Sequence, residues 1–415
     1  MRYLFLLAAA AGLLPSAAAQ TLNALIPGPS LLRFGTYDAE TGTWLDLDTL
    51  DFAEAYIAGT GSWDHWEGRY LVAGYSPGAA TASLWSWDGA ENQLVHSPSL
   101  GDDIGALHQD LSSALFYGLG FAVVDSTFVD FGGGAGYWEY ETELEVRAID
   151  PATGAVTTAV PLPFLTGYVA GATTFDSDAH RYHVLGYDAL GQARLVTADV
   201  LAGSVVSSPV LDVDNGYSIN EIEAGLDADR LWALRAPLTG TSGWQWVELG
   251  TTTGAVTPLA DLPGVYGFIG DASALDQTSG RYAFAYVDAT WTTRIRVLDA
   301  ATGALLADHA PGLDVAELSA DNRIYAVAAY GTPSSVSAAP ARTAAAPYPN
   351  PTSGRLTFSS RTSGAARVFA ASGTCVLTCS VGSGPAVLDL SELPEGLYTV
   401  QLPDGLLHRV LRIAE

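Results

Sequence analysis

The chain has 415 residues, 48% of them hydrophobic, enough for one large and one small domain with cores of their own. Its formal net charge is −27 and all 18 basic residues are arginine, so its surface repels phosphate backbones and argues against a nucleic-acid partner. Two cysteines, Cys375 and Cys379, lie four residues apart in one apparent strand, too far apart along it to bridge, which excludes a disulfide framework.

Met1 to Ala19 reads as a signal peptide. Arg2 gives a positive start, and Leu4 to Leu14 an apolar run too short to span a bilayer. Ala17-Ala18-Ala19 precedes a cut before Gln20. No later run is long enough for a membrane helix, so a secreted protein is expected.

From about Leu22 to Tyr330 one mark recurs: Asp or Gly, then Gly or Asn four residues later. It falls at Asp38/Gly42, Asp88/Asn92, Asp150/Gly154, Asp199/Gly203, Gly250/Gly254 and Asp299/Gly303. Asp bonds its own backbone on entering a turn, and Gly supplies the positive φ at the exit. A second mark, an Arg-aromatic or similar pair opening a strand, follows Asp64, Asp110, Asp176, Asp227, Asp276 and Asp321. Two hairpin turns per period of about fifty residues mean four strands per period, the blade of a β-propeller. Six copies predict six blades, with a seven-bladed ring as the alternative if one blade is degenerate.

Small-residue runs such as Gly171-Ala172-Thr173-Thr174 suit the innermost strands, where blades crowd at the axis. The last repeat stops after Arg323 to Tyr330 as half a blade, and Leu31 to Asp46 is expected to supply the missing hairpin and close the ring. One period is longer than the rest. Its excess, between Gly120 and Thr142, contains Gly132-Gly133-Gly134-Ala135-Gly136 followed by Tyr137-Trp138-Glu139-Tyr140, and reads as a protruding loop with an aromatic tip.

Residues 331–345 are rich in Ser, Ala, Pro and Thr and read as a linker. The segment from 346 to 415 alternates strands with Gly/Pro turns, as a small β-sandwich does. It opens with Tyr348-Pro349-Asn350-Pro351-Thr352-Ser353-Gly354 and later carries Leu393-Pro394-Glu395-Gly396-Leu397-Tyr398. These paired motifs closely resemble the C-terminal sorting domain of type IX secretion cargo. The resemblance implies export across the outer membrane of a Gram-negative cell, engagement of the type IX machinery, and release or surface attachment after cleavage. It gives a destination and leaves the activity open.

Few residues suggest chemistry. Gly74-Tyr75-Ser76-Pro77-Gly78 has nucleophile-elbow spacing, but Pro77 lacks the N–H that an oxyanion needs, so a turn is expected. Asp176, Asp178, His180 and His183 mimic a metal cluster on a turn that other repeats make without His. Asp212-Val213-Asp214-Asn215-Gly216 falls short of a calcium loop, because it lacks the third spaced ligand. Aligning the inner strands on their turn Asp puts Glu223 and Glu317 at one position, with Asp271 a residue away and Glu221 and Asp102 on entering loops. These carboxylates would ring one mouth of the central channel, to hold a cation such as calcium or to act as paired acids on a glycoside. Trp63, Trp66, Trp138, Tyr140, Tyr217 and Tyr266 fall near predicted loops and would stack on sugars or peptides.

The leading expectation is an exported, non-catalytic binding module without a cofactor, with an extracellular glycan or protein as partner. The alternative is an extracellular polysaccharide hydrolase or lyase that uses the channel-mouth carboxylates.

Overall fold

The computed structural model describes residues 20–330 and 352–413, apart from 29–30, 51–54, 76–80, 90, 92, 101–103, 131–135, 214–215, 226–229, 241, 361–363, 371–374, 383, 392 and 402–406. The chain divides into two compact units, Met1–Ser335 and Val336–Glu415. The expected signal peptide and linker lie outside the described residues.

The first unit is a six-bladed β-propeller. Its strands run in chain order as β1 (Thr21–Ile26), β2 (Leu32–Asp38), β3 (Thr43–Leu50), β4 (Ala55–Tyr56), β5 (Ser62–Asp64), β6 (Arg69–Tyr75), β7 (Ser83–Asp88) and β8 (Gln93–His96). Next come β9 (Gly105–Gln109), β10 (Phe116–Asp130), β11 (Gly136–Ile149), β12 (Val156–Leu162), β13 (Leu165–Asp176), β14 (Arg181–Asp188), β15 (Ala193–Asp199) and β16 (Ser204–Ser207). The last are β17 (Tyr217–Ala224), β18 (Arg230–Pro237), β19 (Gln245–Gly250), β20 (Val256–Asp261), β21 (Gly267–Asp276), β22 (Arg281–Val287), β23 (Thr293–Asp299), β24 (Leu305–His309) and β25 (Glu317–Ala320).

Blade one is the antiparallel sheet β25-β1-β2-β3, and blade two is β4 and β5 followed by β6-β7-β8. Blades three to six are β9 to β12, β13 to β16, β17 to β20 and β21 to β24, each ordered from the axis outward. Antiparallel connections place alternate turns at opposite ends of the ring. The first-to-second and third-to-fourth strand turns share one face, called the turn face. The second-to-third strand loops and the crossovers between blades share the other, the loop face.

The recurrent mark falls on the turn face. Asp299 shows its mechanism: Oδ1 accepts the Thr302 N–H at 2.9 Å, its carbonyl accepts the Gly303 N–H at 2.8 Å, and Gly303 has φ +71°. Aromatic residues fill the gaps between blades. Trp246 of blade five is fully buried against Tyr282 of blade six, centroids 4.3 Å apart, and donates its indole N–H to Ala300 O at 2.8 Å.

Three features differ from the sequence reading. Ring closure takes three strands from the N-terminal end, starting at Thr21, and one, β25, from the C-terminal end. Arg323–Tyr330 is not a strand but helix α1. The segment has three alanines and no glycine or proline, and Asp321 Oδ1 caps it by accepting the Arg323 N–H at 3.0 Å. The Tyr330 hydroxyl donates to Asp178 Oδ1 at 2.5 Å, so α1 runs over the turn face from blade one to blade four, the opposite blade. The excess in blade three is likewise not a loop. β10 and β11 stay paired from Phe116↔Ile149 to Asp130↔Gly136, a two-stranded ribbon running past the blade on the loop-face side. β-branched and aromatic residues extend both strands almost to the glycines.

The second unit holds β26 (Arg355–Ser360), β27 (Gly364–Ala370), β28 (Cys375–Val381), β29 (Gly384–Asp389), β30 (Gly396–Gln401) and β31 (Leu407–Arg412). β26 pairs with β29, and the other four order as β28-β27-β30-β31. Leu356, Phe358 and Leu388 of the first sheet share a core with Val368, Val400 and Val410 of the second. Both cysteines lie on β28, and Cys379 is a free thiol. Within the second motif, the Tyr398 hydroxyl donates to Pro394 O at 2.7 Å and fixes the turn.

Candidate functional site

Four innermost strands bulge, by one extra residue in β9 and β17 and by three in β13 and β21. Pairing with the second strand slips in β9, β13, β17 and β21, at Ala106, Gly171, Glu221 and Asp271, and all four residues have positive φ. Gly59, between β4 and β5, also has positive φ, at +75°. A β-bulge leaves a residue outside the ladder and re-aims its groups. Here the freed amides meet carboxylates from other blades.

Glu221 Oε1 accepts the Asp271 N–H at 3.0 Å, and Glu317 Oε1 accepts the Gly59 N–H at 2.8 Å. The Gly171 amide bonds Asp271 in turn. Glu223 takes hydroxyl bonds from Ser273 at 3.2 Å and Thr174 at 3.5 Å. Glycines make room for these groups: a Cβ on Gly61 would overlap the Glu317 carboxylate and the Tyr70 hydroxyl, and one on Gly171 would overlap Glu221. The tyrosines of the Arg-Tyr marks lock the same layer. Tyr182 donates to Ala106 O at 2.5 Å, Tyr282 to Glu221 O at 3.4 Å and Tyr70 to Glu317 Oε2 at 3.4 Å, each reaching into the neighbouring blade.

The structure thus brings Glu221, Glu223, Asp271 and Glu317 together, but in a different pairing from the sequence alignment. Glu221 and Asp271 are the equivalent pair, one per bulge. Glu221 and Glu317 are each 1% exposed, while Glu223 and Asp271 are half-buried. Asp102 lies outside the described residues.

The cavity above the bulges has a volume of about 130 Å³ and runs from Gly171, Glu221 and Asp271 to the turn residues Gln109, Ser177 and Asn322. Burial pushes the Glu223 carboxyl up to about 7. Burial and the Asp271 charge push Glu317 up to about 8 and Glu221 well above the ordinary carboxylate value. Burial also raises Asp271. His108 lines the same wall, bonded to Thr173 at 2.8 Å, and burial lowers its pKa to about 4, leaving it neutral. Among the described residues no three His, Cys, Asp or Glu side chains converge to hold a bare metal ion. That includes the Asp176/His183 turn: His183 is fully buried and bonded to Thr197 at 3.0 Å, while Asp176 Oδ1 accepts the Asp178 N–H at 2.9 Å. The Asp212 turn has its middle at 214–215, outside the described residues.

The aromatic residues divide. Trp63 is buried and lines the axial cavity, and Trp66 is half-buried in a turn-face turn. Trp138 and Tyr140 pair with Phe128 and Ser126 in the ribbon's backbone register, and their side chains lie outside the described residues. Tyr217 is half-buried beneath Arg235, whose guanidinium lies 3.9 Å from the ring centre. Tyr266 packs edge-on against Trp291, centroids 5.4 Å apart.

Trp291 was not among the sequence candidates. It is 72% exposed on the loop face and has φ +61°, a conformation costly for a bulky side chain. Its turn, Asp288-Ala289-Thr290-Trp291-Thr292, has a counterpart in blade four, Asp188-Ala189-Leu190-Gly191-Gln192. There the same position is Gly191, φ +73°, with open space where a side chain would project. The signal was present in the sequence, as a Trp in the glycine position of a repeated turn.

The platform under Trp291 is rigid. Asp288 Oδ1 accepts the Thr290 and Thr292 N–H groups at 2.8 and 3.2 Å. Arg296 donates to Pro263 O at 3.0 Å and to Asp308 at 2.7 Å, which fixes the crossover that delivers Tyr266. Burial opposes ionisation of Asp308, but bonds from Arg294, Arg296 and Tyr286 outweigh it and hold its carboxyl below the ordinary value. Neighbouring loop-face tips expose Leu190 and Leu238.

The sequence from 346 to 413 matches the family model of the secretion system C-terminal sorting domain. Residues 346–413 are a type IX sorting domain. The sorting domain engages the type IX secretion machinery and directs its cargo to the cell surface or the extracellular space. No helix among the described residues is long and apolar enough to cross a membrane. No curated protein matches the sequence. Among solved structures, TolB from Acinetobacter baumannii is 12% identical with a TM-score of 0.50, over 74% of this chain and 67% of that one. A putative TolB from Agrobacterium tumefaciens is 11% identical with a TM-score of 0.43, over 73% and 98%. A nidogen/laminin complex is 13% identical with a TM-score of 0.42, over 73% and 98%. At these identities the TolB likeness concerns the propeller fold alone.

Proposed function

We propose that this exported propeller is a non-catalytic binding module that takes neutral glycans on its loop face. The observation that carries the reading is Trp291, held at positive φ and exposed where a sister turn uses glycine. Apart from its edge contact with Tyr266 the ring is left in solvent, which offsets little of that strain, so a ligand is a natural reason for the choice. An exposed indole with a tyrosine edge beside it offers a flat face to a sugar ring, and Thr290 and Thr292 flank it with hydroxyls. A net charge of −27 disfavours polyanionic glycans. Within the propeller, α1 lies over the turn face and so leaves the loop-face tips uncovered.

The hydrolase alternative is the weaker reading. The carboxylates are bonded to backbone amides and hydroxyls in a cavity of about 130 Å³, below the ~300 Å³ at which ligand pockets begin. The test is affinity electrophoresis of the full chain in gels containing soluble β-glucan, xylan or starch. Retardation by one of them, lost in Trp291→Ala, is expected. Equal mobility of the two proteins in every gel, or release of reducing ends from any polysaccharide, would contradict the reading.

A further inference from the structure

The axial cavity has a charge problem of its own, independent of the loop face. Glu221, Glu223 and Asp271 line it, and Glu317 adjoins them through its bond to the Gly59 amide. Among the described residues no arginine lines the cavity, and the chain has no lysine. Of its two histidines, burial keeps His108 neutral, and His65 Nδ1 accepts the Asn322 N–H at 2.8 Å. A carboxylate kept from water without a cation, as Glu221 and Glu317 are, is costly, and amide bonds offset only part of that cost.

A second observation points the same way. Glu221 is 1% exposed, and its Oε2 has no hydrogen-bond partner, although Oε1 is bonded. Ser319 Oγ, on another wall, is also buried without a partner. Unpaired buried acceptors are rare in folded proteins and call for an explanation such as a bound ion. At ~30 Å³ per water, the cavity has room for about four waters or for one ion with part of its shell.

We propose that the axial cavity binds a small divalent cation that keeps part of its water shell, with Glu221 and Asp271 as the principal anionic partners. No three carboxylates converge among the described residues, so water would complete the ion's shell. Glu221 and Asp271 belong to adjacent blades, so an ion there ties blades five and six together. The absence of side chains on Gly59, Gly61 and Gly171 keeps the space open.

The test uses the full chain stripped of metal by chelator, titrated calorimetrically with calcium chloride at fixed ionic strength. One saturable site is expected. Glu221→Gln should weaken it about tenfold or more, while the exposed Glu91→Gln leaves it unchanged. Terbium provides a second readout, because Trp63 lines the cavity and can sensitise its emission. Emission should saturate, fall on addition of calcium, and be lost in Trp63→Phe. Absence of a saturable site, or a site that Glu221→Gln leaves intact, overturns the proposal and assigns bound ions to the acidic surface. If Glu221→Gln fails to fold, the terbium signal of Trp63→Phe decides in the same two directions.

Discussion

The turns Asp188–Gln192 and Asp288–Thr292 have the same wiring and opposite uses. In each, the aspartate Oδ1 accepts two backbone amides, and its carbonyl accepts a third from the residue at positive φ. In blade four that residue is Gly191, which adopts the conformation without strain. In blade six it is Trp291, which pays steric energy and buries little. A repeat protein makes such a comparison possible, because the sister turn shows what folding alone requires. The difference separates a position set by the backbone from one set by something the backbone does not contain.

The axis gives the contrasting case, where left-handed positions are indispensable. Gly171 sits at φ +72°, and a side chain there would strike Glu221 and the Asp271 amide. Gly171→Ala is expected to cost about 3 kcal/mol or more in urea unfolding, since strain and overlap add. A loss below about 1 kcal/mol would show that the bulge layer is soft rather than locked.

The buried acids come next in size. Glu317 has its pKa raised from 4.5 to about 8 and Glu223 from 4.5 to about 7, so the folded state holds protons that the unfolded chain releases. Their contribution is fully present below the unfolded value and is lost as pH rises through the folded one. In chelator, the melting temperature should fall between about pH 5 and pH 8, each shifted unit being worth ~1.4 kcal/mol. Glu317→Gln should flatten that fall. A melting temperature that rises over the same range would contradict the assignment.

Asp288→Ala and Asp188→Ala remove the same pair of amide acceptors. Each is expected to cost about 1–2 kcal/mol in stability. Only Asp288→Ala should also weaken glycan retardation, because only that turn presents Trp291. Equal effects of both variants on binding would erase the distinction between the turns.

Much of the fold is legible in the sequence because its turn chemistry repeats: the Asp-to-Gly spacing at Asp38, Asp150 and Asp299 is the hydrogen-bond pattern of the turn itself. Ring closure is less so. Arg323–Tyr330 follows a turn mark like the other strands, and only its alanines and the Asp321 cap show that it is helical. The blade-three ribbon is misread as a loop because glycines at its tip outweigh the β-formers on either side. The carboxylates at Glu221, Glu223, Asp271 and Glu317 can be gathered by aligning repeats, but their pairing cannot, since a bulge shifts the register, by one residue in β17 and three in β21, without altering composition. Trp291 escapes a search for aromatic residues near loops and stands out only when its turn is set beside Gly191.

Trp291→Gly tests the central claim most directly, with denaturant unfolding and affinity electrophoresis carried out on the same full-length protein. Glycine relieves the strain at φ +61° and removes the exposed ring. The variant should be more stable by about 1 kcal/mol and should no longer be retarded by the glycan that retards the parent. A variant that is less stable, or that is retarded as before, would mean that Trp291 serves the fold, and the loop face would lose its claim as the binding site.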